Sequence, residues 1–244
     1  MKKIIIFFIL VIAGITVNAQ YIKVNREVIC PSEYAALYTD TLVNAVNIGD
    51  IICYKNTIDT ILIVTVSDWT DYYEGDGYTP LSVVFFVDST GQHGWAAGLN
   101  ITTSEFYVGQ GLNSDIYVNF PSYFASTHLA LRDINGLANT NSIRSGPNFS
   151  TDDNPAIPDS PFYLPALGQL LYFYTQYFTI KPSYDTLEIS LPCISTNNRF
   201  WTSTGHLNED EYDEVWVFNL PTFSTTPIIE YNIDYYYVLP VMNF

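Results

Sequence analysis

Carboxylates and tyrosines are the reactive or adhesive side chains this chain carries in number. It has 25 Asp and Glu and 20 Tyr, against nine Lys and Arg, three His and three Cys. His93 sits in Gln92-His93-Gly94-Trp95, His206 follows Phe200-Trp201-Thr202-Ser203-Thr204, and His128 lies in an apolar-periodic stretch. A catalytic histidine needs a nucleophile and an orienting partner. No Gly-x-Ser-x-Gly elbow, His-Glu-x-x-His pair or Cys-His signature accompanies any of the three, so they read as structural or surface residues.

The acids cluster in three places: Asp71, Glu74 and Asp76; Asp152 and Asp153; and Glu209, Asp210, Glu211, Asp213 and Glu214. Such groups could give Ca²⁺ the oxygen ligands it prefers, but none has the EF-hand register, and solvated acidic loops are the simpler expectation. No cofactor is therefore expected, Ca²⁺ being the one the loops could take. Two carboxylates about 5 to 9 Å apart across a cleft could also hydrolyse a glycoside. The sequence supplies acids without pairing them.

Tyrosine joins a broad apolar face to a polar tip and has little side-chain entropy to lose, which suits recognition surfaces. Tyr72, Tyr73, Tyr107, Tyr117 and Tyr123 fall in or beside expected loops, among Asn and Asp. Such loops suit stacking and hydrogen bonding to a glycan or a protein. The candidate ligand-binding residues are Tyr72, Tyr73, Asp76, Asp152, Asp153, Asn208 and Tyr212, with no catalytic and no metal-binding residue among them.

These residues need a scaffold. Residues 1–19 read as a secretory signal: Lys2 and Lys3, an apolar run from Ile4 to Val17, then Val17-Asn18-Ala19. The run is shorter than the roughly 20 residues that span a bilayer, so the mature chain is expected to begin at Gln20 with no membrane span. Removing the signal takes two basic residues and no acid, moving the net charge from −16 to −18. That field repels phosphate backbones and excludes nucleic acid as a partner. Cys30, Cys53 and Cys193 allow one disulfide at most, and Cys53 lies in strand-like text where a buried thiol is as good a reading.

The remaining chain divides at a soft boundary into residues 20–77, a small β-rich segment, and residues 78–244. In the first part Gly49-Asp50 opens a strand at Ile51, Ile58 to Val66 reads as another strand, and Trp69 to Gly77 as a loop. In the second, Leu81 to Asp88 predicts a strand covered on both faces, with Gln92 to Leu99 as its hairpin partner. Ser122 to Ile134 reads as a helix ending before Gly136, and 137–160 as a long loop. Leu164, Leu167, Leu171, Tyr174 and Phe178 mark one stripe of a helix started by Pro165, in which Gly168 admits a close neighbour. Phe200-Trp201 and Glu214 to Leu220 are strands, and Tyr235 to Phe244 is the last, with Pro240 marking an edge or a bulge.

The ordered blocks VVFFVDSTGQHGWAAGL, NGLANTNSI, FYLPALGQLLYFY, FWTST, VWVFNL and YYVLPVMNF resemble the fibrobacter-type major paralogous domain of secreted Bacteroidetes proteins. That group is similar to the Lcl carboxy-terminal-domain family and to the C-type-lectin-like, formylglycine-generating-enzyme fold. The resemblance implies an α+β fold over residues 78–244, with a mixed twisted sheet, two helices and long loops. With only Cys193 in the second half, the thiol site of the formylglycine-forming enzymes is not carried over. The expected function is an exported, non-catalytic binding or adhesion module for a glycan or protein, in the periplasm, at the cell surface or outside the cell. The alternatives are a secreted glycan hydrolase and a structural surface or assembly subunit.

Overall fold

The computed structural model describes residues 45–55, 60–106, 123–145, 156–192, 198–207, 213–220, 224–229 and 235–244. The expected signal at 1–19, Cys30, Cys193, Asp152, Asp153, Asn208 and Tyr212 lie outside these residues. Two sheets share the helices between them. The first runs β11 (Val241–Asn243), β4 (Gly94–Gly98), β3 (Thr79–Val87), β1 (Ile51–Lys55), β2 (Thr60–Val64), every neighbour antiparallel. The second runs β5 (Thr102–Ser104), β10 (Tyr236–Val238), β7 (Asn198–Leu207), β8 (Asp213–Leu220), β9 (Ser224–Ile229), with β6 (Tyr123–Phe124) also on β7. It is mixed, because β10 and β6 both run parallel to β7 while the other pairs are antiparallel. The architecture is α+β, as expected.

Strand β3 is buried through Val83, Val84 and Phe85, which is the burial its apolar run predicts for a strand packed on both faces. Strand β1 inserts beside it, so the soft boundary at residue 77 falls between neighbouring strands of one sheet. The helical segments are α1 (Val66–Asp68), α2 (Thr127–Ala130), α3 (Gly136–Arg144), α4 (Leu167–Thr175) and α5 (Tyr177–Thr186). Leu167, Leu170 and Phe173 of α4 and Ile180 and Tyr184 of α5 pack against Val83, Phe85, Phe200 and Phe218, joining both sheets in one core.

Several expectations are corrected. Of the stretch read as one helix, the described residues Tyr123 to Ile134 form the short strand β6 and the single turn α2, and the helix starts where that reading ended it, at Gly136. Trp69 to Tyr73 is a π-helical turn, not a loop, with Trp69 buried against Ile51, Cys53, Leu62 and Val64. The stripe from Leu164 to Phe178 is interrupted at Gln176 between α4 and α5, leaving Phe178 75% exposed while Tyr177 turns inward. The terminal run is two strands in two sheets: β10 in the second and β11 in the first, with buried Leu239 and Pro240 between them. Proline cannot donate to a ladder, so the chain changes sheets at the residue where pairing must stop.

Candidate functional site

The end of the first sheet gathers the described part of the predicted set. Gly75 and Gly77, with φ of 80° and 78°, turn the chain sharply between the π-helical turn and β3. That turn sets the Tyr73 ring edge-on against Tyr78, centroids 4.9 Å apart at 88°, a favoured geometry for two aromatic quadrupoles. Lys55, at the end of β1, holds its Nζ 4.5 Å from the Tyr78 ring centroid and 3.8 Å from Asp76 Oδ2. Asp76 is 72% exposed and Lys55 23%, so the ion pair lies in water and contributes little to stability. Burial raises the Tyr73 phenol above its ordinary range, with Tyr78, Cys53 and Asp68 adding to the effect.

Tyr73 and Asp76 are thus brought together, and Tyr72 stands on the same π-helical turn. Lys55 and Tyr78 were not among the predicted residues. Tyr78 was legible, since it follows Asp76-Gly77 directly; Lys55 was not, because only strand pairing carries it to the loop. The corner offers ring faces, a phenol, a carboxylate and an ammonium within one surface. That set can stack on and hydrogen-bond a polar ligand, and it contains no arranged nucleophile and base.

Two other polar groupings lie close to the core. The first is a seam where β7 meets α4. Thr202, Ser203 and Thr204 are fully buried in a bulge between the Trp201 and Gly205 pairings, an interruption within one strand. Leu167 N–H donates to Thr204 Oγ1 at 2.8 Å, and that hydroxyl donates to Asp133 Oδ2 at 2.9 Å. Asp133 also accepts from Asn139 Nδ2 and Asn135 N–H, while its backbone oxygen takes Gly168 N–H at 2.8 Å. Ala166 cannot cap α4 with its side chain, so Thr204, the Asp133 carbonyl and Gln169, whose Oε1 accepts from Ala166 N–H, satisfy the start of the helix. This seam binds the fold to itself.

The second grouping is Asp50 and Asp68, 9% and 5% exposed. Asp50 Oδ2 accepts from Asn47 N–H at 2.8 Å, and Asp68 Oδ2 accepts from Thr65 Oγ1 at 2.6 Å. Burial raises Asp50 to about 6, the charge of Asp68 adding to it and the Asn47 N–H opposing. Carboxylates this shielded, each tied to its own turn, are poorly placed to meet a glycan.

His93 and His128 are exposed, and His206 stands edge-on to Trp216 at 4.8 Å. Among the described residues no cluster of three His, Cys, Asp or Glu could hold a metal ion. Cys53 is buried without a disulfide on β1, its thiol pushed up to about 12 by burial. No described helix is long and apolar enough to cross a membrane.

No family model and no curated protein matches the chain. A crystal structure of a fimbrial protein from Bacteroides ovatus ATCC 8483 has a similar fold, with a TM-score of 0.50 at 11% identity over 81% of this chain. The match covers 49% of the fimbrial protein, so this chain spans about half its length. What the likeness shows is the fold: a mixed α+β arrangement also found in a bacterial fimbrial protein.

Proposed function

We propose that this chain is an exported cell-surface protein that works by non-covalent association, as an assembly or adhesion subunit whose partner is a protein or a glycan. The observation that carries the reading is the outer edge of β2. Its sequence Thr-Ile-Leu-Ile-Val has no charge, proline or bulge, and among the described residues no strand lies beyond it. Soluble proteins usually blunt such an edge, because its free backbone groups template pairing with another chain. β9, at an edge of the second sheet, does carry a proline, Pro227. The fold shared with a fimbrial protein supports a role at the cell surface.

Sedimentation and electron microscopy of the mature protein test this. Wild type is expected to form larger species as concentration rises, and Ile63→Lys on β2 to remain monomeric with its thermal midpoint within a few degrees. A wild type that stays monomeric throughout would remove the assembly reading.

The corner of Tyr73, Tyr78, Lys55 and Asp76 favours glycan adhesion as a second reading, in line with the resemblance of the sequence blocks to fibrobacter-type and C-type-lectin-like domains. A glycan array with and without calcium should show binding that Tyr73→Ala and Tyr78→Ala each reduce at least about tenfold, the loss expected when a stacking contact of about 1.5 kcal/mol disappears. A blank array would leave protein partners. Turnover of a sugar substrate abolished by one carboxylate change would replace both readings with the hydrolase.

A further inference from the structure

Five of the nine Lys and Arg lie among the described residues, and four of them are engaged within the chain. Lys55 meets Asp76 and the Tyr78 ring, and Lys181 meets Asp185. Arg144 donates to the backbone oxygen of Phe162 at 2.9 Å, and Arg199 to the Tyr236 hydroxyl at 2.9 Å. Arg132 is the exception: it is exposed, and its guanidinium has no hydrogen bond, ion pair or ring contact among the described residues. In a chain of net charge −16 an unpaired cation is a scarce group.

The side chains around Arg132 are apolar. Of the six large hydrophobic side chains that the described surface leaves exposed, Leu129, Ile134 and Leu137 flank it in one stretch and Tyr172 stands on α4, all four between 38% and 45% exposed. The fold gathers them. Arg132 N–H donates to Leu129 O at 3.0 Å, closing a turn that carries both side chains on one side. Ile134 reaches the first turn of α4, its Cγ2 3.1 Å from where a Cβ on Gly168 would stand, and Tyr172 follows Gly168 by one helical turn on that same side. Gly136, which precedes Leu137, packs on Ala166 at the start of α4. The neighbouring acid, Asp133, is buried and engaged with Asn135, Asn139 and Thr204. An unpaired guanidinium set among exposed aliphatic and aromatic side chains has the make-up of an interface, not of a solvated face.

The partner such a surface selects carries acid beside aromatic groups, and this chain has that surface too. Asp71 and Glu74, on and just after the π-helical turn, are exposed, and among the described residues no cation pairs with either. Tyr73 and Tyr78 lie beside them. We propose that the surface of residues 129–137, centred on Arg132, docks a second copy of this chain through residues 71–76 of that copy. The inference rests on the assembly reading and adds to the β2 edge a contact between unlike charges. Charge complementarity decides the occupant. Copies at −16 each repel one another, so acidic face against acidic face is disfavoured, and Arg132 against the acidic turn reverses the sign locally. Lys55, paired with Thr60 of β2, also reaches Asp76, so the acidic turn adjoins the β2 edge and both can meet the same neighbour.

Sedimentation of the mature protein with charge-swap variants tests the contact. Arg132, Asp71 and Glu74 are exposed, so each variant should keep the wild-type thermal midpoint within a few degrees. Arg132→Glu, and separately Asp71→Lys combined with Glu74→Lys, are expected to weaken association at least about tenfold, because each sets like charges face to face. Mixed in equal amounts, the two variants should associate as wild type does: the new glutamate of one meets the new lysines of the other, and the remaining Arg132 meets the remaining acids. All three changes in one chain should restore association as well. A wild type that stays monomeric overturns this inference together with the assembly reading. Assembly lost in Ile63→Lys but kept in Arg132→Glu overturns this inference alone, as does a mixture of the two charge-swap variants that stays apart.

Discussion

Gly168 shows how little space separates stability from failure at one residue. It lies in the first turn of α4, where a Cβ would stand 2.5 Å from the backbone oxygen of Asp133 and 2.7 Å from that of Leu131. Those oxygens belong to the chain between α2 and α3, and that of Asp133 accepts the Gly168 N–H, so neither can withdraw without losing the junction. Gly168→Ala gains helix propensity of about 1 kcal/mol and meets backbone on both sides. The clash should win, with a net loss of about 2 to 3 kcal/mol visible as a lower urea midpoint at unchanged slope. A midpoint equal to or above wild type would mean that the Asp133 segment can yield. Gly136 meets the same constraint from the other side: its absent Cβ leaves room for Gln169 Oε1, 2.2 Å from the place it would occupy, and for Ala166 N.

At the scale of elements, the bulge in β7 joins the second sheet to the helices. Thr204 Oγ1 both accepts from Leu167 and donates to Asp133, so one hydroxyl serves a helix start and a buried carboxylate. Thr202 Oγ1 donates to Trp216 O at 2.6 Å, and Ser203 N–H donates to Pro165 O at 2.8 Å, fixing the bulge on both flanks. Thr204→Val keeps the shape and removes the hydroxyl, leaving a buried N–H and a buried carboxylate oxygen each short of a partner. About 2 to 4 kcal/mol of stability should be lost in urea unfolding. Loss of less than about 0.5 kcal/mol would show that the seam re-forms around the valine. The break between α4 and α5 follows similar logic: Gln176 N–H reaches both Tyr172 O and Phe173 O, and Tyr177, Ile180 and Tyr184 then take over the inward face.

For the whole molecule, charge and topology pull in opposite directions. A net charge of −16 favours solubility of an aromatic-rich chain but makes the folded chain repel itself. Raising NaCl from about 0.02 M to about 0.5 M shortens the Debye length from roughly 20 Å to about 4 Å. The thermal midpoint should therefore rise by a few degrees, and a fall on adding salt would show that local ion pairs outweigh the net field. Topology supplies the opposing cohesion. The last ten residues enter both sheets, with β10 bonded to β5 and β7 and β11 bonded to β4, while Tyr163 exchanges backbone bonds with Val241 at 2.8 and 2.9 Å. These ten residues therefore tie the two sheets together.

Much of this was legible along the chain because the cause was local. The apolar run of β3, its hairpin with β4, the turn before Ile51 and the aromatic strands β7 and β8 follow from alternation, turn residues and strand burial. Asn-Gly-Leu-Ala-Asn-Thr-Asn-Ser-Ile was misread as loop because its propensities are weak. It becomes helix α3 through a partner distant in sequence, Thr140 bonding Leu164, helped by the nearby bond from Asn139 to Asp133. Tyr73 and Asp76 could be named as candidate contacts from composition, whereas Lys55 joined them only when β1 was laid beside β3. Residue types thus set charge, solubility and the short-range elements, since those depend on neighbours a few positions away. The exchange of the terminal strand between sheets, the burial of Asp50 and Asp68 and the membership of the corner depend on which distant segments are packed side by side, and only the closed fold decides them.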